Sequence, residues 1–132
     1  MNWLAVLIAT VAGFAFGAAY YMSLSKPWLA AIGKTKEQIA AEGKGSPLPF
    51  IISIVALAVM AAVLAGTLGH LGQVSLRSGV ITALFMWLGF VITTMAVNNG
   101  FGQRKASLTI IDGIHWLGVL VIQGAIIGAM GV

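Results

Sequence analysis

Cysteine is absent from this 132-residue sequence, and charge is scarce, with seven basic and three acidic side chains making up 8% of the chain. Without cysteine there is no disulfide, no thiolate nucleophile and no cysteine-ligated metal. Ten charges cannot clothe a water-facing domain of this length, so lipid must be the solvent for most of the chain. Regular alternation of apolar and polar side chains is also lacking, which excludes a transmembrane barrel and selects helices. A helix satisfies its own backbone donors and acceptors, as any segment inside hydrocarbon must. No phosphate loop, zinc motif or hydrolase elbow occurs.

What is present is hydrophobic: 60% of the residues, at a mean hydropathy of +1.03. The expectation is an all-α integral membrane protein, a four-transmembrane-helix bundle forming one membrane domain over residues 1–132. The spans are expected at about Asn2 to Ser23, Phe50 to His70, Leu76 to Val97 and Leu108 to Met130, each near the ~20 residues that cross a ~30 Å core. The first run lacks a basic start and is long enough to remain as a span rather than a cleaved signal. Asn98-Asn99-Gly100 is expected to end the third span, and Ser107 to cap the fourth.

The one substantial loop, Leu24 to Leu48, is expected to carry short amphipathic helices at the cytoplasmic interface. Ser25, Pro27 and Trp28 start a turn that Gly33 ends, and Thr35 with Gln38 reads as a capping box for a second helix ending near Gly43. Trp28, Leu29, Ile32 and Ile39 oppose Lys34, Lys36, Glu37 and Glu42, an arrangement suited to lying on a membrane surface.

Loop charge predicts orientation. Lys26, Lys34, Lys36 and Lys44 in the first loop and Arg104 and Lys105 in the third face only Arg77 on the other side. Six against one puts both basic loops in the cytoplasm and both termini outside it. The net charge of +4 thus marks topology and anionic-lipid contact, and no nucleic-acid partner is expected.

Small residues mark expected helix-packing faces: Gly13 and Gly17 in the first span, Gly66 with Ala58 and Ala62 in the second, Gly124 and Gly128 in the fourth. Polar groups at membrane depth mark the candidate site. Asp112 and His115 share a helix face, about 7 and 12 Å past Ser107. Topology brings Tyr20, Tyr21, Asn98, Asn99 and Arg104 to the same level, with Thr93 and Thr94 a turn deeper. Two readings of this cluster stand open. In one, Asp112 pairs with Arg104 and fixes how the helices meet, and His115 stays neutral. In the other, the cluster binds a headgroup or small anion, or relays protons. Gln123 is expected to face the bundle interior and bridge helices. His70 is expected to be solvated at a span end, and Trp87 and Trp116 to pack. The two histidines have no helical pairing that would make a metal site.

Phe16-Gly17 with Tyr20-Tyr21, then Lys26-Pro27-Trp28-Leu29 and Gly33, resemble the first-span exit of the bacterial membrane-protein family called domain of unknown function 1761. Asn98-Asn99-Gly100-Phe101 with Arg104, and Ile111-Asp112-Gly113-Ile114-His115, resemble its C-terminal half. The resemblance covers nearly the whole chain and implies the four-span plan and a bacterial inner-membrane location, but no activity. Small multidrug exporters fit less well, because the first span here holds no carboxylate.

Three functions stand as expectations. The first is a non-catalytic helix-packing protein, self-associated or an accessory subunit of a larger membrane complex, since small-residue faces recur on three spans. The second is a small transporter, channel or ligand-binding protein using the polar cluster. The third is an enzyme acting on lipid or quinone, for which Asp112 and His115 supply neither nucleophile nor metal. The first is preferred, with no enzyme activity and no cofactor expected.

Overall fold

The computed structural model describes residues 1–132, and all its regular elements are helices. Helix α1 (Trp3–Ser23) is capped by Asn2, whose side chain accepts a hydrogen bond from Ala5 N. Next come two short helices, α2 (Ser25–Ile32) and α3 (Lys36–Gly43). Gly33, in the left-handed region at φ 72°, ends α2, and both bonds of the Thr35–Gln38 capping box start α3. Helix α4 (Leu48–Leu71) carries Pro49 in its first turn, where a missing N–H costs nothing, and Gly72 at φ 71° ends it.

The third span is continuous over Leu76–Phe101 but not uniform. It consists of α5 (Leu76–Met86), a π turn at Trp87–Val91 and α6 (Ile92–Phe101). A π turn leaves carbonyls without their usual helical donors. Here the Thr93 hydroxyl donates to Gly89 O at 2.9 Å, and the Thr94 hydroxyl to Phe90 O at 2.7 Å. Hydroxyls are one of the means by which an irregular turn is made tolerable in hydrocarbon.

Two expected boundaries are corrected. Asn98-Asn99-Gly100 does not end the third span; α6 absorbs all three and runs to Phe101. The chain reverses over residues 102–104 instead: Gly102 N donates to Asn98 O, Arg104 N donates to Asn99 O, and Gln103 adopts φ 55°. After that turn the extended residue that precedes the helix is Lys105, at φ −62° and ψ 141°, and not Ser107. Helix α7 (Ala106–Met130) instead starts behind Lys105, which makes no side-chain cap, and Ser107 is its second residue.

The four long helices run up and down, so one end of the bundle gathers α2, α3 and the Arg104-Lys105 turn (the basic end) and the other gathers both termini. There the Asn2 side-chain amide donates to Met130 O. Helix α7 is the hub, packed against α1, α2, α4, α5 and α6. Its tightest neighbour is α5, where Gly79 faces Gly124 and Gly128 backbone to backbone; a Cβ on any of the three would meet carbonyl groups. Such approach gains dispersion contacts that side chains would hold apart.

The buried cluster of Val6, Ala9, Ala61, Leu64, Ala65, Leu68, Ala83, Leu120 and Ile127 lies in the terminal half of the bundle. The basic half is built differently. There Phe50, Ile51, Ile52, Ile54 and Val55 of α4 are exposed, as are Val97 and Phe101 of α6. Gly66, expected to pack a neighbouring helix, is exposed with only the Met1 methyl nearby, at 3.8 Å, because α4 turns its leucine-lined face and not its glycine toward the core. Helix α3 buries no residue; its Glu42 accepts from Lys34 Nζ at 2.6 Å, an exposed pair that contributes little.

Candidate functional site

In the basic half, a polar seam takes the place of an apolar core between α1 and α7. Asp112 lies six residues into α7, about 9 Å from its start at 1.5 Å per residue. Its carboxyl Oδ1 accepts a hydrogen bond of 2.6 Å from the Tyr21 hydroxyl, and the Trp28 side chain of α2 reaches toward the same group. The Tyr20 hydroxyl donates to the backbone carbonyl of Ile111 at 2.6 Å. Consecutive tyrosines at a helix end point in different directions, so the pair grips α7 at two places. The Tyr20 and Tyr21 rings meet edge to face, and Tyr21 meets Trp28 likewise at 6.0 Å.

His115, one turn further along α7, is buried with 7% of its surface exposed. Phe16 lies parallel to its ring at 6.1 Å, Tyr21 and Tyr20 are tilted against it at 4.8 and 5.7 Å, and Trp116 is edge-on at 4.5 Å. The imidazole fits because Gly17 has no side chain: a Cβ there would lie 2.8 Å from His115 Nε2. Two turns on, Gln123 is wholly buried, and its Nε2 donates to Leu57 O at 3.0 Å and more weakly to Ala9 O at 3.5 Å. The missing Cβ of Gly13 makes room for that amide, 3.3 Å from the Cβ position. The Gly13–Gly17 face of α1 is therefore used inside this chain, to seat two polar side chains of α7.

The seam thus joins Tyr20, Tyr21, Asp112 and His115 of the expected cluster and leaves the rest outside. Arg104 is exposed and does not pair with Asp112; the only ion pair in the chain is Lys34–Glu42. The expected Asp112–Arg104 pair fails because Tyr21 occupies the carboxyl and the tight turn at Gln103 carries Arg104 away. Asn98 is exposed on α6, whereas the Asn99 amide donates to the Thr109 hydroxyl at 2.9 Å and ties α6 to α7. Trp28 and Lys105 join from outside the expected set: Lys105 Nζ donates to Ala30 O at 3.0 Å, near the C-terminus of α2, where a cation is favoured. The Trp87 indole, at the π turn, donates to Gly113 O at 2.7 Å. The Trp-Leu-Gly followed by paired threonines was the visible trace of that turn.

Fold and seam together define a polytopic four-helix membrane protein whose helices are tied by polar and glycine contacts around a central last span. The match with known sequences is specific: residues 4–128 fit the family described as "Protein of unknown function (DUF1761)", and the chain belongs to that family. No curated protein and no solved structure matches it.

Proposed function

We propose that this chain is a non-catalytic helix-packing protein of the bacterial inner membrane, acting as a self-assembled oligomer or as an accessory subunit of a larger membrane complex. Its basic end faces the cytoplasm and both termini face away from it, in keeping with the asymmetry of loop charge. The observation that carries this reading is the third span, in which almost no residue is buried by the rest of the chain. Its α6 half packs chiefly against α7 and the adjoining π turn, and leaves Thr93, Thr94, Val97, Asn98 and Phe101 uncovered. The start of α4 is equally bare at the same level.

The arrangement of the seam speaks against a conduction path. Tyr20, Tyr21 and Asp112 hold one another or backbone, and beyond Gln123 the last turns of α7 carry no polar side chain. A through-route for ions or polar solutes needs groups along its whole length.

The absence of cysteine makes the test direct. Single cysteines at Val97 or Phe101 on α6 are introduced and crosslinked in native membranes, with Leu7 on the outer face of α1 as control, and the products are read by native mass spectrometry in mild detergent. Crosslinks from α6 to a second copy or to another membrane subunit are the expected result. A monomer throughout, with no α6 crosslink, overturns the reading.

A further inference from the structure

The two sides of α6 differ in what they meet. On one side Ile92 packs on Gly113 of α7, and the Asn99 amide bonds Thr109. On the other, Thr94, Val97 and Phe101 follow one another at spacings of three and four, and all three are exposed. That spacing is the a/d seam of a left-handed pair of helices. Val97 stands as a ridge between two open grooves, with Thr93 and Asn98 in one and Ala96 and Gly100 in the other. A ridge flanked by grooves is a shape that fits a copy of itself.

The polar groups beside the seam match in the same way. Thr93 and Asn98 are five residues apart, at the g and e positions that meet across two parallel helices. The Thr93 hydroxyl gives its proton to Gly89 O, which leaves its oxygen free to accept. The Asn98 amide is exposed and has protons to donate. The face therefore carries a donor on one flank and an acceptor on the other, at the spacing that satisfies both when it meets itself. A two-fold contact also sets each side chain near its own copy, so a charge on the face would repel itself. No charged residue lies between Arg77 and Arg104. Copies that share one asymmetry of loop charge insert the same way round, which makes such a pairing parallel.

We propose that the partner of α6 is a second copy of this chain, packed parallel about a two-fold axis normal to the membrane. Val97 of each copy lies in the seam, and the Asn98 amide of each donates to the Thr93 oxygen of the other. The inference rests on the helix-packing reading above and names its partner and register.

The full chain carrying Val97→Cys is oxidised mildly in native membranes, with Leu7→Cys on α1 as control. A disulfide between two copies at Val97 and none at Leu7 is expected, because d positions face each other across a parallel seam. The strength of the pair is then read in lipid bilayers, by energy transfer between end-labelled copies at falling protein-to-lipid ratio. Asn98→Ala removes an exposed side chain and so spares the fold of the single copy. It is expected to weaken the pair about tenfold, since two interhelical hydrogen bonds are lost. A Val97 crosslink to a different membrane protein and never to a second copy overturns this inference and leaves the helix-packing reading standing. No α6 crosslink of any kind overturns both. A Val97 disulfide between copies whose pairing is unmoved by Asn98→Ala overturns the Thr93–Asn98 contact and the register built on it.

Discussion

The Tyr21 hydroxyl and the Asp112 carboxyl meet at 2.6 Å and join the last turn of α1 to the second turn of α7. Both residues are half-buried, so the bond is made away from the full competition of water. Removing the hydroxyl leaves an acceptor without its partner. Tyr21→Phe is expected to destabilise the folded chain by about 1–3 kcal/mol. Asp112→Asn, which keeps an acceptor oxygen in place, is expected to cost less. In a double-mutant cycle the Tyr21→Phe and Asp112→Ala effects should be less than additive by at least about 0.5 kcal/mol. Unfolding in a mixed-detergent titration reads all three values, and full additivity would show that the bond contributes nothing.

The glycines divide into those that seat a neighbour and those that do not. Gly79→Ala, Gly124→Ala and Gly128→Ala each drive a Cβ into facing backbone, which cannot yield as a side chain can. Losses at the upper end of the ~1–3 kcal/mol typical of overpacking are expected. Gly66→Ala meets only open space and the Met1 methyl and should be neutral or stabilising, by up to about 1 kcal/mol of helix propensity. Thermal denaturation in detergent ranks the four, and an equal effect at Gly66 would contradict the packing described.

Gly17→Ala tests the seat of the imidazole. The new methyl would lie 2.8 Å from His115 Nε2, so the ring must move or the helices part. A loss of about 1–3 kcal/mol is expected. His115→Ala in the same chain should recover much of it by vacating the space, although it leaves a cavity of its own. The recovery is what distinguishes a local clash from a general intolerance of α1 to substitution.

Gln123 looks more important than it is expected to prove. Its amide bridges α1, α4 and α7, but the carbonyls it reaches lie within helices and its own oxygen is unpaired. Side-chain hydrogen bonds between membrane helices average only about 0.6 kcal/mol. Gln123→Leu, close in volume, should therefore change stability by no more than about 1 kcal/mol.

Lys105 holds α2 by a single exposed bond to Ala30 O. Lys105→Gln is expected to leave global stability within about 0.5 kcal/mol, as exposed substitutions usually do. Amide hydrogen exchange over Ser25–Ile32 should nevertheless rise, with the long helices unchanged. Unaltered exchange in α2 would mean that Trp28 and Ala31, half-buried and buried against the bundle, hold it alone.

The limits of reading this chain as a sequence track the range of the forces involved. The α3 start was legible because Thr35 and Gln38 satisfy each other's backbone groups within one turn, independent of anything distant. Tyr20, Tyr21, Asp112 and His115 were legible as one cluster because topology and rise per residue place them at one depth. Gly79 carried no such sign: one glycine in a span says nothing until the rotation of α5 against α7 is known. Arg104 was misplaced for a related reason, since the direction of a single turn at Gln103 decides whether it meets Asp112.

The sequence alone determined that this protein is helical, that four helices are long and apolar enough to cross a membrane, and which family it belongs to. These depend on composition and on runs of ~20 residues, each satisfying its own backbone hydrogen bonds. The tertiary structure decided which faces meet: glycines of α1 against His115 and Gln123, and glycines of α5 and α7 against each other. It also decided that the core lies in one half of the bundle and the polar seam in the other. Between helices that lipid solvates almost as well as they solvate one another, close packing and interhelical hydrogen bonds select the partner face, and both exist only once the helices are placed.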